Sequence, residues 1–449
     1  MRTQTLLGAA AGIAVVTVAA RVVGFGRTAV LAQTVGASDV GDTYTAVNAL
    51  PNVLFEVAAG GALAAVAVPL VAGAVAAGDR ATVDRTVSAL LSWTLAVLLP
   101  VALGCALAAP LLVRGLLGDD ATGAGSVDVG ARMLRVFAPQ VVLYGVAVVL
   151  IGVLQAHRRF LAAALAPLVS SLVVITTFLL YAGTGPQASP ADLTDGQVLL
   201  LAGGTTAGVL ALAATVAVPL RTTGVRLRPS LSFPPGVAAR ARGLAGSGVA
   251  SLLAQQVSLL VALRLAADGA EGTVVVYSLA VAVFLLPWAV LAVPVATSAF
   301  PRMSEAATQE GTAYAEVVRS SLRAAVGLSA LGAVALLVLA GPVAALLLLS
   351  GAPGLDDSDA LRDAIRAFAP GLVGHGAAAV LGRALLADGR SRSAAAGTAS
   401  GWLAVALGSV LLARLSDLST AVALGLASSA GLTLGAVVLG SLLRQARRG

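Results

Sequence analysis

A chain of 449 residues in which 58% are hydrophobic and 11% charged, with a mean hydropathy of +0.96, is excluded from the soluble globular class, where about a quarter of residues are charged. All 28 basic residues behind the formal net charge of +7 are arginine, so the lysine of a Walker-type phosphate loop is missing and no ATP-driven motif of that kind is present. A single cysteine, Cys105, excludes an internal disulfide, and two histidines, His157 and His375, are too few for a zinc site.

Nearly every apolar run is 18 residues or longer and lacks the alternation of barrel strands, so the fold class read from the chain is all-α and polytopic. Twelve spans are predicted, at about 6–33, 41–75, 86–117, 131–156, 160–183, 195–220, 240–266, 272–300, 318–350, 362–387, 393–413 and 418–442. The first, opening on Arg2 and an apolar run, mimics a secretory signal; cleavage would discard half of the helix, so it reads as a span. Within it, Arg21 lies roughly 22 Å into a hydrocarbon layer about 30 Å thick, where a charge is expected to face protein or water. Arg27 follows Gly24 and Gly26 about 32 Å in, where an interfacial anchor and a ligand are both open readings. An ideal helix turns the two arginines about 240° apart, so joint use needs a distortion of the kind two glycines permit.

Asp42 opens the second span after Ser38-Asp39, where an acid complements the positive end of its own helix. Glu56 lies roughly 21 Å deeper, where a carboxylate needs a proton or a cation. Arg21 reaches a comparable depth from the opposite face. A static Arg21–Glu56 pair would be structural; if substrate competes for Arg21, Glu56 becomes a gate or proton acceptor.

Alternate loops separate by charge. One side holds nineteen arginines, including Arg80, Arg158, Arg159, Arg228 and Arg390; the other holds seven, with most of the acids. The positive-inside rule then places both termini in the cytoplasm. An internal repeat supports two halves: Arg135-Val-Phe-Ala-Pro139 returns as Arg366-Ala-Phe-Ala-Pro370, and Gly145, Leu154 and Arg159 return as Gly376, Leu385 and Arg390, all 231 residues on. Such an offset crosses an even number of spans, the parallel-repeat plan of many secondary transporters, with substrate expected between the halves. Residues 1–225 read as an N-terminal six-helix lobe, 226–239 as a cytoplasmic linker rich in proline, and 240–449 as a C-terminal six-helix lobe. The pairs Arg132/Arg135 and Arg362/Arg366 read as interfacial anchors, Arg264 and Arg383 as side chains reaching span ends, and both histidines as structural.

No nucleophile–base pair or metal cluster is visible, so the chain reads as a non-enzyme without cofactor. Basic residues confined to short loops speak for topology rather than for nucleic acid.

Three stretches carry a family likeness: the arginine pair in RVVGFGR with the GASDVGDTY turn around Asp42, then LPN at Leu50 to Asn52 with the glycine–alanine run to Pro69, and LLPWAVLAVPVATSAFP from Leu285 to Pro301. They resemble the MurJ/MviN family of lipid-linked cell-wall precursor flippases, within the multidrug/oligosaccharidyl-lipid/polysaccharide exporter superfamily. The resemblance implies about twelve transmembrane helices in two six-helix lobes around a central cavity. It also implies arginines of the first, second and eighth spans that hold a substrate pyrophosphate. Here Phe55 stands where the family has an arginine, Glu56 where another basic residue follows, Ala282 where the eighth span has an arginine and Leu285 where an acid is usual. The candidate substrate-binding set is therefore Arg21, Arg27, Asp42, Asn52 and Glu56.

The implied function is flipping of a polyprenyl-pyrophosphate-linked, lipid II-like precursor across the bacterial cytoplasmic membrane by alternating access. The partners implied are that precursor, membrane lipids and cell-wall synthesis proteins. The alternatives are a multidrug exporter that uses Glu56 or Asp42 for cations, and a transport-incompetent paralogue that scaffolds cell-wall synthesis.

Overall fold

The computed structural model describes residues 2–118, 123, 125–234, 249–308, 312–347 and 358–447. All regular structure among the described residues is helical. Two compact units account for the chain: Met1–Val35, Thr43–Gly115 and Gly123–Gly246 form the first, and Gly36–Asp42, Leu116–Thr122 and Ser247–Gly449 the second.

The helices of the N-terminal half are α1 (Arg2–Thr34), α2 (Asp39–Phe55), α3 (Gly61–Ala76), α4 (Arg80–Leu107), α5 (Ala109–Leu117), α6 (Ser126–Phe137), α7 (Pro139–Ala156), α8 (Phe160–Ala182) and α9 (Asp195–Leu220), all in the first unit except Asp39–Asp42 of α2 and Leu116–Leu117 of α5. The second unit follows with α10 (Val249–Ala267), α11 (Thr273–Pro287), α12 (Val293–Ala307), α13 (Ala313–Leu347), α14 (Ser358–Phe368), α15 (Gly371–Ala387), α16 (Ser391–Leu415) and α17 (Thr420–Ala446). Among the described residues, eleven helical stretches are long and apolar enough to cross a membrane, which makes this a multi-pass membrane protein. The remaining expected span, 41–75, is α2 and α3 joined by a π-helical turn at Glu56–Gly60. Of the expected seventh span, 240–248 lies outside the described residues, as does 235–239 of the expected linker.

The repeated Arg-x-Phe-Ala-Pro motif is a helix break. Proline cannot donate to the preceding turn, so α6 gives way to α7 at Pro139, and α14 gives way to α15 beside Pro370. A hydroxyl from the last helix of each half satisfies the carbonyls left at the break. Thr206 Oγ1 donates to Val136 O at 2.9 Å, and Ser429 Oγ donates to Ala367 O at 2.7 Å. Residues 136 and 367 are themselves 231 apart.

Packing follows small residues, because lipid is as apolar as leucine and association in it depends on close approach. In the first unit α3, α4 and α9 pack on α7 around Leu90, Leu150, Val153, Leu154 and Val216. In the second, α16 and α17 form the most extensive helix pair. Gly397 and Gly401 on α16 meet Gly431 and Gly435 on α17, and a Cβ at Gly401 would stand 3.0 Å from Gly435 Cα. Arg132 pairs with Asp195, and Arg362 with Asp359 and Asp363, so these arginines bond acids on or beside their own helices.

Candidate functional site

In the first unit the arginines of α1 stay apart from Glu56. Arg21 is exposed on α1, and Arg27 is half-buried, near enough to the Tyr44 and Tyr144 hydroxyls to act on both electrostatically. Tyr44 is itself buried, its ring edge-on to Phe137 and Phe178 at 5.9 and 5.7 Å and its hydroxyl 2.6 Å from Thr205 Oγ1. Glu56 is half-buried at the first position of the π turn. Asn52 stands exposed one turn earlier. Among the described residues neither Arg21, Arg27 nor Glu56 has an ion pair, so the Arg21–Glu56 pair inferred from matched depths is not formed.

Asp42 has a second task beside its place in the first turn of α2. It is 1% exposed, and its Oδ1 accepts from Val275 N–H at 3.0 Å, with the N–H groups of Val274 and Gly272 also bonded to the carboxylate. Gly272 is the N-cap of α11. The first backbone donors of a helix need a side-chain acceptor, and a glycine cap offers none. A larger residue cannot stand there, because a Cβ on Gly272 would lie 2.7 Å from Ala37 Cβ at a φ of +80°. Asp42 supplies the missing cap from the Gly36–Asp42 segment of the same unit. The acid stands in the first turn of α2, as its position implied, and its carboxylate also caps the start of α11.

Phe55 is also placed elsewhere than the resemblance implies. It is 3% exposed and packs with Leu98, Ala102 and Val141, its ring 5.9 Å from Tyr144. It is a core residue of the first unit. Ala282 is half-buried on α11 and Leu285 is 38% exposed.

The α2–α3 and α11–α12 spans are interrupted alike. The first has its π turn at Glu56–Gly60 and the second at Trp288–Ala292, 232 residues apart (288 − 56), and Pro69 and Pro301 show the same difference. A π turn adds a residue to the helical repeat and is frequent at functional sites. Pro51 precedes the first by five residues, and Pro287 directly precedes the second.

At the second π turn lies a cavity of about 410 Å³ lined by Trp288, His375, Arg383, Thr398 and Trp402. The His375 ring stacks on Trp288 at 4.5 Å and 26° and meets Trp402 edge-on at 6.2 Å. Arg383 is half-buried, donating from Nη1 to Ala379 O at 3.0 Å and from Nη2 to Thr297 Oγ1 at 3.5 Å. Among the described residues Trp288 Nε1 has no partner. Sequence reasoning sent Arg383 to a span end and treated His375 as structural; the signal it passed over is the spacing of 375, 379 and 383, which puts all three on one helical face. Among the described residues no group of three or more His, Cys, Asp or Glu converges on a point.

A family model described as "Lipid II flippase MurJ" matches residues 31–449. A Rhizobium tropici protein named "Probable lipid II flippase MurJ" is 29% identical over 294 residues, covering 64% of this chain and 53% of its own. The chain thus spans about half the length of that relative. A solved structure of lipid II flippase MurJ in an inward closed conformation superposes with a TM-score of 0.77 at 16% identity, over 96% of this chain and 87% of the other. An inward-facing multidrug resistance MATE family transporter of the MOP superfamily gives 0.78 at 14% identity, over 95% of both. Similarity at such identities speaks for the fold.

Proposed function

We propose that this chain, which belongs to the lipid II flippase MurJ family, moves an anionic polyprenyl-pyrophosphate-linked cell-wall precursor of the lipid II class across a bacterial cytoplasmic membrane. One observation carries the reading: two guanidinium groups, Arg21 and Arg27, stand on a membrane-spanning helix with no carboxylate paired to either among the described residues. Charge at that depth is costly without a counter-charge, and pyrophosphate oxygens suit the planar guanidinium fork. Both arginines precede the part of the chain that the family model matches, so their role rests on their placement. With Asp42 committed to α11, the proposed substrate set narrows to Arg21, Arg27, Asn52 and Glu56. The paired π turns are the elements best suited to change bend as access alternates, and the arginine asymmetry of the loops supports a cytoplasmic side for both termini.

A second reading, export of cationic drugs, is favoured by Glu56, a half-buried carboxylate without a counter-charge among the described residues. Complementation separates the two. Expressed in a flippase-depleted bacterium, the chain should restore growth, weakly because Ala282 holds no charge, and Arg21→Ala should abolish the rescue. Growth that survives Arg21→Ala, or drug resistance lost with Glu56→Gln, would favour the exporter.

A further inference from the structure

The segment after α9 folds back on the first unit as a strap. The N–H groups of Arg226, Arg228 and Ser230 donate to Asp84 Oδ1, Ser88 Oγ and Ser92 Oγ, each at 3.0 Å, and Trp93 Nε1 donates to Leu231 O at 2.9 Å. Val225 and Phe233 pack on the cluster that includes Val83, Val87 and Leu220. The strap thus covers apolar surface of α4 and α9.

In the repeat, α13, α15 and α17 take the places of α4, α7 and α9. Among them the second unit has an open groove of about 870 Å³, within the size range of ligand sites. Its body is apolar, with Val318, Leu322, Val326, Leu381 and Val437, and one end carries Arg319, Arg444 and Arg447. The α13 wall offers Ala315, Val318, Arg319, Leu322 and Val326, with no ladder of acceptors like Asp84, Ser88 and Ser92 to hold a backbone strap. Arg447 is fixed by Asp388 at 2.8 Å and lies 3.9 Å over the Tyr314 ring. Asp388 is shared with Arg390. Arg444 bonds through Nε to Gly440 O at 3.2 Å, and Arg319, exposed, has no hydrogen bond or ion pair among the described residues. These arginines sit near the first turns of α13 and the last of α17, at helix ends where headgroups lie.

We propose that this groove is a binding site for an anionic phospholipid, its acyl chains along the apolar floor and its phosphate at Arg319 and Arg444. Only an amphiphile with a negative head matches both parts: a zwitterionic lipid would bring an ammonium to the arginines, and a soluble anion would leave the apolar body empty.

The purified full chain, delipidated in mild detergent, tests this by native mass spectrometry with phosphatidylglycerol, phosphatidylcholine or glycerol phosphate. The wild type should retain one phosphatidylglycerol, with phosphatidylcholine about tenfold weaker, as expected when the choline ammonium brought to the arginines offsets one charge-assisted contact. Arg319→Gln/Arg444→Gln should erase that preference and Arg319→Lys/Arg444→Lys should keep it, while Arg221→Gln changes nothing. Gly440→Leu, whose Cβ would meet only Leu381 Cδ1 at 3.7 Å, should fill the groove and lower retention of either lipid. Equal retention of both lipids by the wild type, retention unchanged in the glutamine variant, displacement by glycerol phosphate, or a dimer that lipid does not dissociate would each overturn the proposal. The readout is bound lipid mass, so its failure is distinct from a failure of flipping.

Discussion

Two side chains decide how far a family pattern can be read onto this chain. Asp42 belongs to the start of α11, where it replaces the acceptor that Gly272 cannot provide. Asp42→Ala should therefore lower stability in detergent by about 1–2 kcal/mol, and Asp42→Asn, which keeps an acceptor, by less. Thermal unfolding of the two variants is the check; equal melting with transport lost would return Asp42 to the substrate set. Phe55 fills a cluster with Leu98, Ala102 and Val141, so Phe55→Arg buries a guanidinium without a counter-charge. The expected result is a loss of about 3 kcal/mol or more and no gain in transport. A stable, more active Phe55→Arg protein would show that the ring can leave the core. Sequence shows which residue differs from the family's, but not whether the backbone still presents it to a cavity.

At the scale of helices the sequence was legible wherever a covalent rule acts locally. Pro139 and Pro370 mark helix breaks in any environment, which is why Arg-x-Phe-Ala-Pro read as a repeat. Their partners were hidden: Thr206 and Ser429 repair the two breaks yet lie 223 residues apart (429 − 206), out of step with the motif. The π turns were hidden too, since one extra residue in a helix is chosen by packing and leaves no change of hydrophobic period. If the turn at Trp288–Ala292 works as a hinge, Pro287→Ala should leave melting within about 1 kcal/mol and slow transport, since restoring a backbone donor favours the regular helix. Wild-type transport by that variant would remove the hinge role. Where α16 meets α17, Gly401→Leu or Gly435→Leu should each cost about 2 kcal/mol or more by forcing the helices apart, and the double variant should cost less than the sum, as the two face each other. Additive losses would show that the helices do not touch there.

For the molecule as a whole, the hydrophobic runs carried the helical, multi-span architecture because lipid enforces it. The candidate site was less legible: Arg21 and Arg27 stood out as charges in apolar sequence, whereas the Trp288–His375–Trp402 cavity forms from three spans with no shared motif. The arginine asymmetry of the loops predicts an orientation with both termini in the cytoplasm. On a background lacking Cys105, cysteines near Arg159 and Arg228 should resist an impermeant thiol reagent in intact cells and one near Asp192 should react; labelling near Arg228 from outside would reverse the topology.

The guanidinium groups on α1, which have no carboxylate partner among the described residues, are proposed to hold a pyrophosphate-linked lipid while it crosses. The direct measurement is flipping of labelled lipid II by the purified full chain in proteoliposomes, with wild type, Arg21→Ala/Arg27→Ala and an Arg158→Ala control matched for melting temperature. The wild type and the control should transport, and the double variant should fall about tenfold or more, the loss of at least one charge-assisted hydrogen bond. Flipping that is unchanged without both arginines would contradict that proposal.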